Sequence, residues 1–296
     1  MRALFAILFC LFTLTTQAEG IRGIFYQPQQ SDLAIPTEQW AKIFSAARSK
    51  GFNTIVFQWT SFGEVFSSPE NQEWLKDRMM DASQADLKLI VGLGGDPDMF
   101  TRLKQPPSIV GSYFRKINQV NLDLASKWTK TLPANSVSGW YLPLEVDDRQ
   151  WREISARNEL TKYLVRQVND LQKVLPTPVY ISSFFAGNMS PERYAAMLEN
   201  MQTQSNVHFW IQDGRGTNKL MSAERDLYLT AVSNCTGYAA SGFIFELFEQ
   251  TQADQIFAAK SLSPIEMNKA LQEKSPCNGD NIFFALNYLI DFKILK

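Results

Sequence analysis

The feature that most narrows the fold is an alternation beginning at residue 21, in which a short apolar run is followed by a longer amphipathic stretch, eight times over. The runs occupy 21–26 (IRGIFY), 53–59 (NTIVFQW), 87–93 (LKLIVGL), 139–144 (GWYLPL), 178–182 (PVYIS), 207–212 (VHFWIQ), 242–246 (GFIFE) and 281–287 (NIFFALN). They are β-branched and aromatic and almost continuously apolar, as strands covered on both faces must be. Short buried strands separated by amphipathic helices are the pattern of βαβ units and a parallel sheet.

The intervening stretches carry helix marks. Thr37 can cap a helix that puts Trp40, Ile43, Phe44 and Ala47 on one face and stops at Gly51. Ser190-Pro191 supplies a cap and a first-turn proline ahead of Tyr194, Met197, Leu198 and Met201. Leu160, Leu164, Val168, Leu171 and Leu175 form a third stripe, stopped by Pro176, and Ser222 begins a further candidate. Eight strands with helices between them, in a chain of 296 residues, predict an α/β fold: a single (β/α)8 TIM barrel. The competing doubly wound sheet places a glycine-rich turn after its first strand, whereas here that run is followed by Gln27-Pro28-Gln29-Gln30. The eighth run is the most ambiguous, since NIFFALNYLI also suits a buried helix.

The first residues have the form of a secretory signal. Arg2 precedes an apolar stretch over residues 3–14, and Thr16-Gln17-Ala18 places small residues for cleavage after Ala18. The expected organisation is a signal peptide at 1–18 and a barrel domain at 19–296, in a protein exported to the periplasm or beyond and monomeric. The apolar stretch falls short of the roughly 20 residues of a membrane span, and no later segment reaches that length. Loss of Cys10 with the signal leaves Cys235 and Cys277, which an oxidising compartment allows to pair. With 29 basic and 30 acidic residues and no basic stripe, the chain has no footprint for nucleic acid.

In a barrel, chemistry sits at the C-terminal ends of strands. Those ends carry Gln27, Gln58 with Trp59, Asp96, Glu145 with Asp147 and Asp148, Phe184 with Phe185, Gln212 with Asp213, Glu246 and Asn287. Carboxylates for acid–base work, amides for hydroxyls and rings for C–H faces suit a carbohydrate. Glu145 and Glu246 stand out because each ends an apolar run that has no need of a charge, and two carboxylates held in one cleft push their pKa values apart. They are the candidate catalytic pair, with Asp213, Gln58, Trp59, Tyr26, Gln27, Gln212 and Asp147 as candidate substrate contacts. Structural readings compete: Asp213-Gly214 is a good turn with Arg215 as a partner, Asp147 and Asp148 can cap a helix before Trp151, and Asp96-Pro97-Asp98 is a plausible turn. Trp140 and Tyr141 must point to opposite sides of their strand, so only one can reach the interior.

The single histidine, His208, lies early in its run and reads as core, and a chain with one histidine cannot build a two-histidine metal centre. No G-x-S-x-G elbow and no glycine-rich phosphate loop is present, and no metal or other cofactor is expected.

GIFYQPQ, NTIVFQW, GWYLPLEVDD, WIQDG and FIFELFE together resemble an exported bacterial family grouped with the TIM-barrel glycoside hydrolases, over roughly residues 21–290. The resemblance implies a general acid/base glutamate after strand four and a nucleophilic glutamate after strand seven, the positions of Glu145 and Glu246. The wider clan often has asparagine before the acid/base; Leu144 stands there here and leaves the contact to the sugar 2-hydroxyl unassigned. The expectation is a retaining glycosidase acting on a bacterial polysaccharide or oligosaccharide. The second reading is a non-catalytic glycan-binding barrel in an exopolysaccharide export system, and a third is another barrel enzyme such as a lyase or deacetylase.

Overall fold

A computed structural model describes residues 20–235, 237, 239–251 and 258–292. The expected signal segment at 1–18 lies outside the described residues. Eight parallel strands close into a barrel: β1 (Arg22–Tyr26), β2 (Thr54–Phe57), β3 (Lys88–Gly92), β4 (Val137–Asp147), β5 (Val179–Phe184), β6 (His208–Gln212), β7 (Gly242–Glu246) and β8 (Asp280–Phe284). Each pairs with its sequence neighbours, and β1 closes the ring on β8 with Gly23 opposite Ile282. The fold class is therefore the (β/α)8 barrel that the alternation predicts. The eighth run contains both of its alternatives, since strand Asp280–Phe284 passes directly into a helical turn, Leu286–Leu289.

Period two along each strand divides the core into two layers. Phe25, Val56, Ile90, Tyr141, Tyr180, Trp210, Ile244 and Ile282 fill the barrel interior. Their neighbours, among them Tyr26, Phe57, Trp140, Leu142, Phe209, Phe243 and Phe283, belong to the layer between strands and helices. The helices of that layer are α1 (Thr37–Ser49), α2 (Pro69–Gln84), α3 (Pro107–Thr131), α4 (Ile154–Val174), α5 (Pro191–Ser205), α6 (Ser222–Val232) and α7 (Pro264–Ala270). In α1, Trp40, Ile43, Phe44 and Ala47 are buried as their spacing requires, but Thr37 is the first helical residue and the cap position is Pro36. Gly51 follows at φ +86°, a conformation in which a side chain would be strained. In α5, Ser190 caps as predicted, its hydroxyl accepting from the Arg193 N–H at 3.4 Å.

β4 is the exception to regular pairing. Leu142 aligns with Ile181 on β5, yet the next partner of Ser182 is Glu145, so Pro143 and Leu144 bulge out of the ladder. Proline has no N–H to give a ladder and suits such a place. The bulge adds two residues, an even number, so it lifts Glu145 toward the mouth without turning it to the outer face.

At the other end of the barrel, His208 sits on the first residue of β6 with Nδ1 3.1 Å from the Ser241 hydroxyl, and burial lowers its pKa. It is far along the strand from the C-terminal rim. Cys235 and Cys277 form a disulfide with their Cα atoms 5.4 Å apart, joining the segment after α6 to the turn before β8. The bridge closes a separation of 42 residues, for which restriction of the unfolded chain predicts about 4 kcal/mol of stabilisation. Reduction is therefore expected to lower the urea midpoint clearly; identical midpoints with and without reductant, in a protein whose mass shows the bridge opened, would contradict this. Among the described residues, no helix is long and apolar enough to cross a membrane.

Candidate functional site

The C-terminal rim of the barrel opens into a cleft of about 510 Å³. Its floor and walls include Gln27, Gln58, Trp59, Glu145, Gln212 and Glu246 from the predicted set. The common cause is strand phase. Phe25, Val56, Tyr141, Trp210 and Ile244 face the barrel interior, so residues two or four further along their strands, Gln27, Gln58, Glu145, Gln212 and Glu246, face the same axis at the mouth.

Glu145 is half-buried on the cleft wall, and its Oε1 accepts from the Gln212 Nε2–H at 2.9 Å. Burial raises its pKa, while the Gln212 hydrogen bond and the charge of Lys219 act in the opposite direction. Beneath it, the hydroxyls of Tyr141 and Ser182 lie 2.8 Å apart. Glu246 is 3% exposed. Its Oε2 accepts from the Gly216 N–H at 2.5 Å, and Thr217 adds a second backbone donor. Burial, then the negative charge of Asp213, then that of Glu145, push its pKa up. A side chain at position 216 would meet the ring and carbonyl of Phe248 at 2.7 Å, so only glycine lets that loop bring its N–H onto Glu246.

Asp213 does not line the cleft. Its phase turns it behind Glu246, where its Oδ1 accepts from the Arg215 N–H at 3.1 Å and from the Glu246 N–H at 3.4 Å. Its Oδ2 is buried and has no hydrogen-bond partner among the described residues, with Arg215 Nε 3.9 Å away. Burial raises its pKa despite those donors. Arg215 continues to Glu273, tying this loop to the segment after α7. As placed, Asp213 holds the backbone of Glu246 and is not among the residues that line the cleft.

Two more expectations need correction. Tyr26 faces outward, one residue out of phase with Phe25; its ring packs on Trp40, Phe44 and Phe57, and its hydroxyl donates to Asp32 at 2.9 Å. It is core. Asp147 does not line the cleft either: its Oδ1 accepts the backbone N–H groups of Arg149 and Gln150, so it caps a turn. Asp148, expected beside it as a cap before Trp151, instead reaches across to the loop after β5 and accepts from Ala186, Asn188 and Met189. Trp140, Trp151 and Trp210 are fully buried and unavailable for stacking at the mouth.

The apolar wall is richer than the strand ends alone suggest. Trp59 stacks on Phe62 with centroids 4.3 Å apart and planes 20° apart, which occupies one of its faces. Phe62 and Gly95 belong to a small parallel pair, Ser61–Phe62 with Gly94–Gly95, that extends the rim above β2 and β3. Phe100, 49% exposed, Met99 and Pro97 continue this wall, and Phe184, Phe185, Phe248 and Tyr288 form the opposite one. Asp96 also lines the cleft, held by Arg102 Nε at 2.7 Å and by the Asp98 N–H at 2.9 Å, the turn expected of Asp96-Pro97-Asp98. The Gln58 Oε1 and Trp59 Nε1 atoms are buried and have no hydrogen-bond partner among the described residues.

Three comparisons set this geometry among known proteins. The β-glucosidase from Thermotoga maritima in complex with castanospermine is similar in structure, with a TM-score of 0.52 at 10% identity over 90% of this chain and 88% of that one. A GH18 chitinase from Pseudoalteromonas aurantia gives a TM-score of 0.49 at 13% identity, over 89% of this chain and 93% of that one. Identity this low speaks to the fold alone, and the likeness to the β-glucosidase is that of a TIM barrel. In sequence, the uncharacterized protein YbcH of Escherichia coli (strain K12) is 38% identical over 290 residues, 98% of this chain and 97% of that protein. The family described as "Domain of unknown function (DUF4434)" matches residues 21–290, and the chain belongs to it.

Proposed function

We propose that the protein is an exported glycoside hydrolase that cleaves a bacterial polysaccharide or oligosaccharide by a two-carboxylate mechanism. The observation that carries this reading is the convergence of Glu145 and Glu246, from strands three apart around the ring, on one cleft whose walls offer amides and aromatic rings. Glu145 protonates the glycosidic oxygen: burial raises its pKa and favours the protonated form, and Gln212 fixes its orientation. Glu246 attacks the anomeric carbon, held by the Gly216 and Thr217 N–H groups, and the resulting glycosyl ester is released by water that Glu145 then deprotonates. Gln58 and Gln27 meet sugar hydroxyls, and Trp59 and Phe100 meet C–H faces. The disulfide suits the oxidising compartment that such a substrate implies.

The test is a reducing-end assay of the mature protein on a panel of bacterial polysaccharides. Release of new reducing ends supports the reading, and binding without release favours the non-catalytic alternative. The anomeric configuration of the first product, read by NMR, decides between retention and inversion.

Asp213 gives the part played by Glu246 a separate test. Its negative charge helps push the pKa of Glu246 up to about 8, so Asp213→Asn lowers that pKa. The titration of Glu246 forms one limb of the kcat/KM profile, and that limb is expected to move to lower pH in Asp213→Asn. A profile that does not move would mean that the charge of Asp213 does not act on a group the reaction uses.

A further inference from the structure

Lys219 is the one cation among the described residues that line the cleft. It stands in the loop between β6 and α6, exposed, with its ammonium 5.3 Å from the centroid of the Phe184 ring. Its positive charge reaches Glu145 and favours the ionised carboxylate there, yet the two are not within ion-pair distance. Among the described residues Lys219 has neither a hydrogen bond nor an ion pair. The acids that line the cleft are already engaged: Glu145 by Gln212, Asp96 by Arg102, Glu246 by the loop N–H groups. The ammonium itself sits over the Phe184 ring, and among the described residues no protein acceptor meets its three N–H donors.

We propose that Lys219 receives an acidic substituent of the glycan, so that the cleft takes a polysaccharide whose sugars carry an anionic group, a uronate carboxylate or a phosphate ester. The inference rests on the glycan-binding cleft proposed above and names the class of its occupant. A strong donor on the cleft wall, with no hydrogen-bond or ion-pair partner among the described residues, favours a substrate that brings the acceptor, because a neutral glycan would leave the ammonium to water alone. It also links recognition to chemistry. An anion on Lys219 offsets the positive charge that opposes the effect of burial on Glu145, and so favours the protonated form that the proposed acid needs.

The experiment is calorimetric titration of the mature protein, its Lys219→Met and its Lys219→Arg variants, with three panels of oligosaccharides: uronate-containing, phosphate-bearing and neutral. Methionine keeps the packing over Phe184 and removes the charge. The wild type is expected to bind a member of one acidic panel, and the panel that binds identifies the anion. Lys219→Met is expected to weaken that binding about tenfold, the scale of a lost charge-assisted hydrogen bond, and Lys219→Arg to restore most of it. Weaker binding at higher salt in the wild type, with a flatter salt dependence in Lys219→Met, marks the loss as electrostatic. Binding confined to neutral glycans, no binding in either acidic panel, or equal affinity in Lys219→Met overturns the inference. Reducing-end release separates this outcome from that of the hydrolase reading. An acidic glycan bound through Lys219 but not cut keeps the inference and removes the hydrolase, whereas a neutral glycan cut equally well by Lys219→Met keeps the hydrolase and removes the inference.

Discussion

Glu145→Gln is expected to lower kcat on a polysaccharide substrate by about 10³-fold, the scale of a lost general acid, while KM stays within a few-fold. Glutamine keeps the shape of the side chain and can still meet the Gln212 amide at Glu145's position on the cleft wall, so the cleft and the fold should persist. What it cannot do is deliver a proton to a departing sugar oxygen. A leaving group that departs without protonation, such as a nitrophenolate, should therefore recover much of the first-step rate. This recovery separates a lost acid from a damaged cleft. If Glu145→Gln turned over the natural polysaccharide at near wild-type rates, the acid would be another group and the two-carboxylate scheme would lose one of its halves. Glu246→Gln should show a comparable loss with no recovery on activated substrates, since the nucleophile is needed whatever the leaving group.

Tyr26 and Asp213 differ from those two glutamates in strand phase, which is present in the sequence, whereas Asp147 shares the phase of Glu145 and is taken up by the Arg149 and Gln150 N–H groups. A strand in a barrel alternates strictly between interior and helix layer, so fixing one interior residue fixes the others on that strand. Tyr141 and Trp140 were separated by this rule. Applied to the first run, with Phe25 inward, the same rule selects Gln27 and rejects Tyr26; with Trp210 inward it selects Gln212 and sends Asp213 behind. What a linear pattern hides is where a strand stops behaving as one. Nothing in GWYLPLEVDD announces that Pro143 and Leu144 leave the ladder together, or that β4 continues to Asp147 beyond them. Only because the bulge has two residues does Glu145 keep the interior phase that strict alternation would give it. The apolar walls are likewise obscured, because Phe62, Phe100 and Tyr288 lie outside the eight barrel strands and reach the cleft from the short elements that follow them. Lys219 was invisible for the same reason: a lone lysine in a polar stretch acquires meaning only when the loop folds over Phe184.

Asp148→Ala is expected to destabilise the protein by about 4 kcal/mol, although this carboxylate makes no contact with the cleft. Asp148 is fully buried, and its two oxygens accept from four donors: Ala186 N–H at 3.0 Å, Asn188 N–H at 2.6 Å, Asn188 Nδ2–H at 3.0 Å and Met189 N–H at 3.2 Å. Three of these are backbone groups of the loop between β5 and α5, which has no ladder of its own to satisfy them. Removing the carboxylate strands those donors in the interior, and each stranded donor costs about 1–3 kcal/mol unless water enters or the loop moves. The loop begins with Phe184 and Phe185 on the cleft wall and ends at Ser190, the cap of α5, so its movement would be felt at both places. Asp148→Asn tests the argument more finely. Its single carbonyl oxygen can keep one pair of donors, while its amide nitrogen faces the other pair donor to donor, so it should fall between wild type and alanine. Urea midpoints for the three proteins check the order, with unchanged slopes indicating that the same surface is exposed on unfolding. An alanine variant within 1 kcal/mol of wild type would mean that the loop finds its hydrogen bonds elsewhere. In that case the wall carrying Phe184, and Lys219 above it, would be held by packing of Phe185 against Tyr194 and Tyr228 and not by the buried charge.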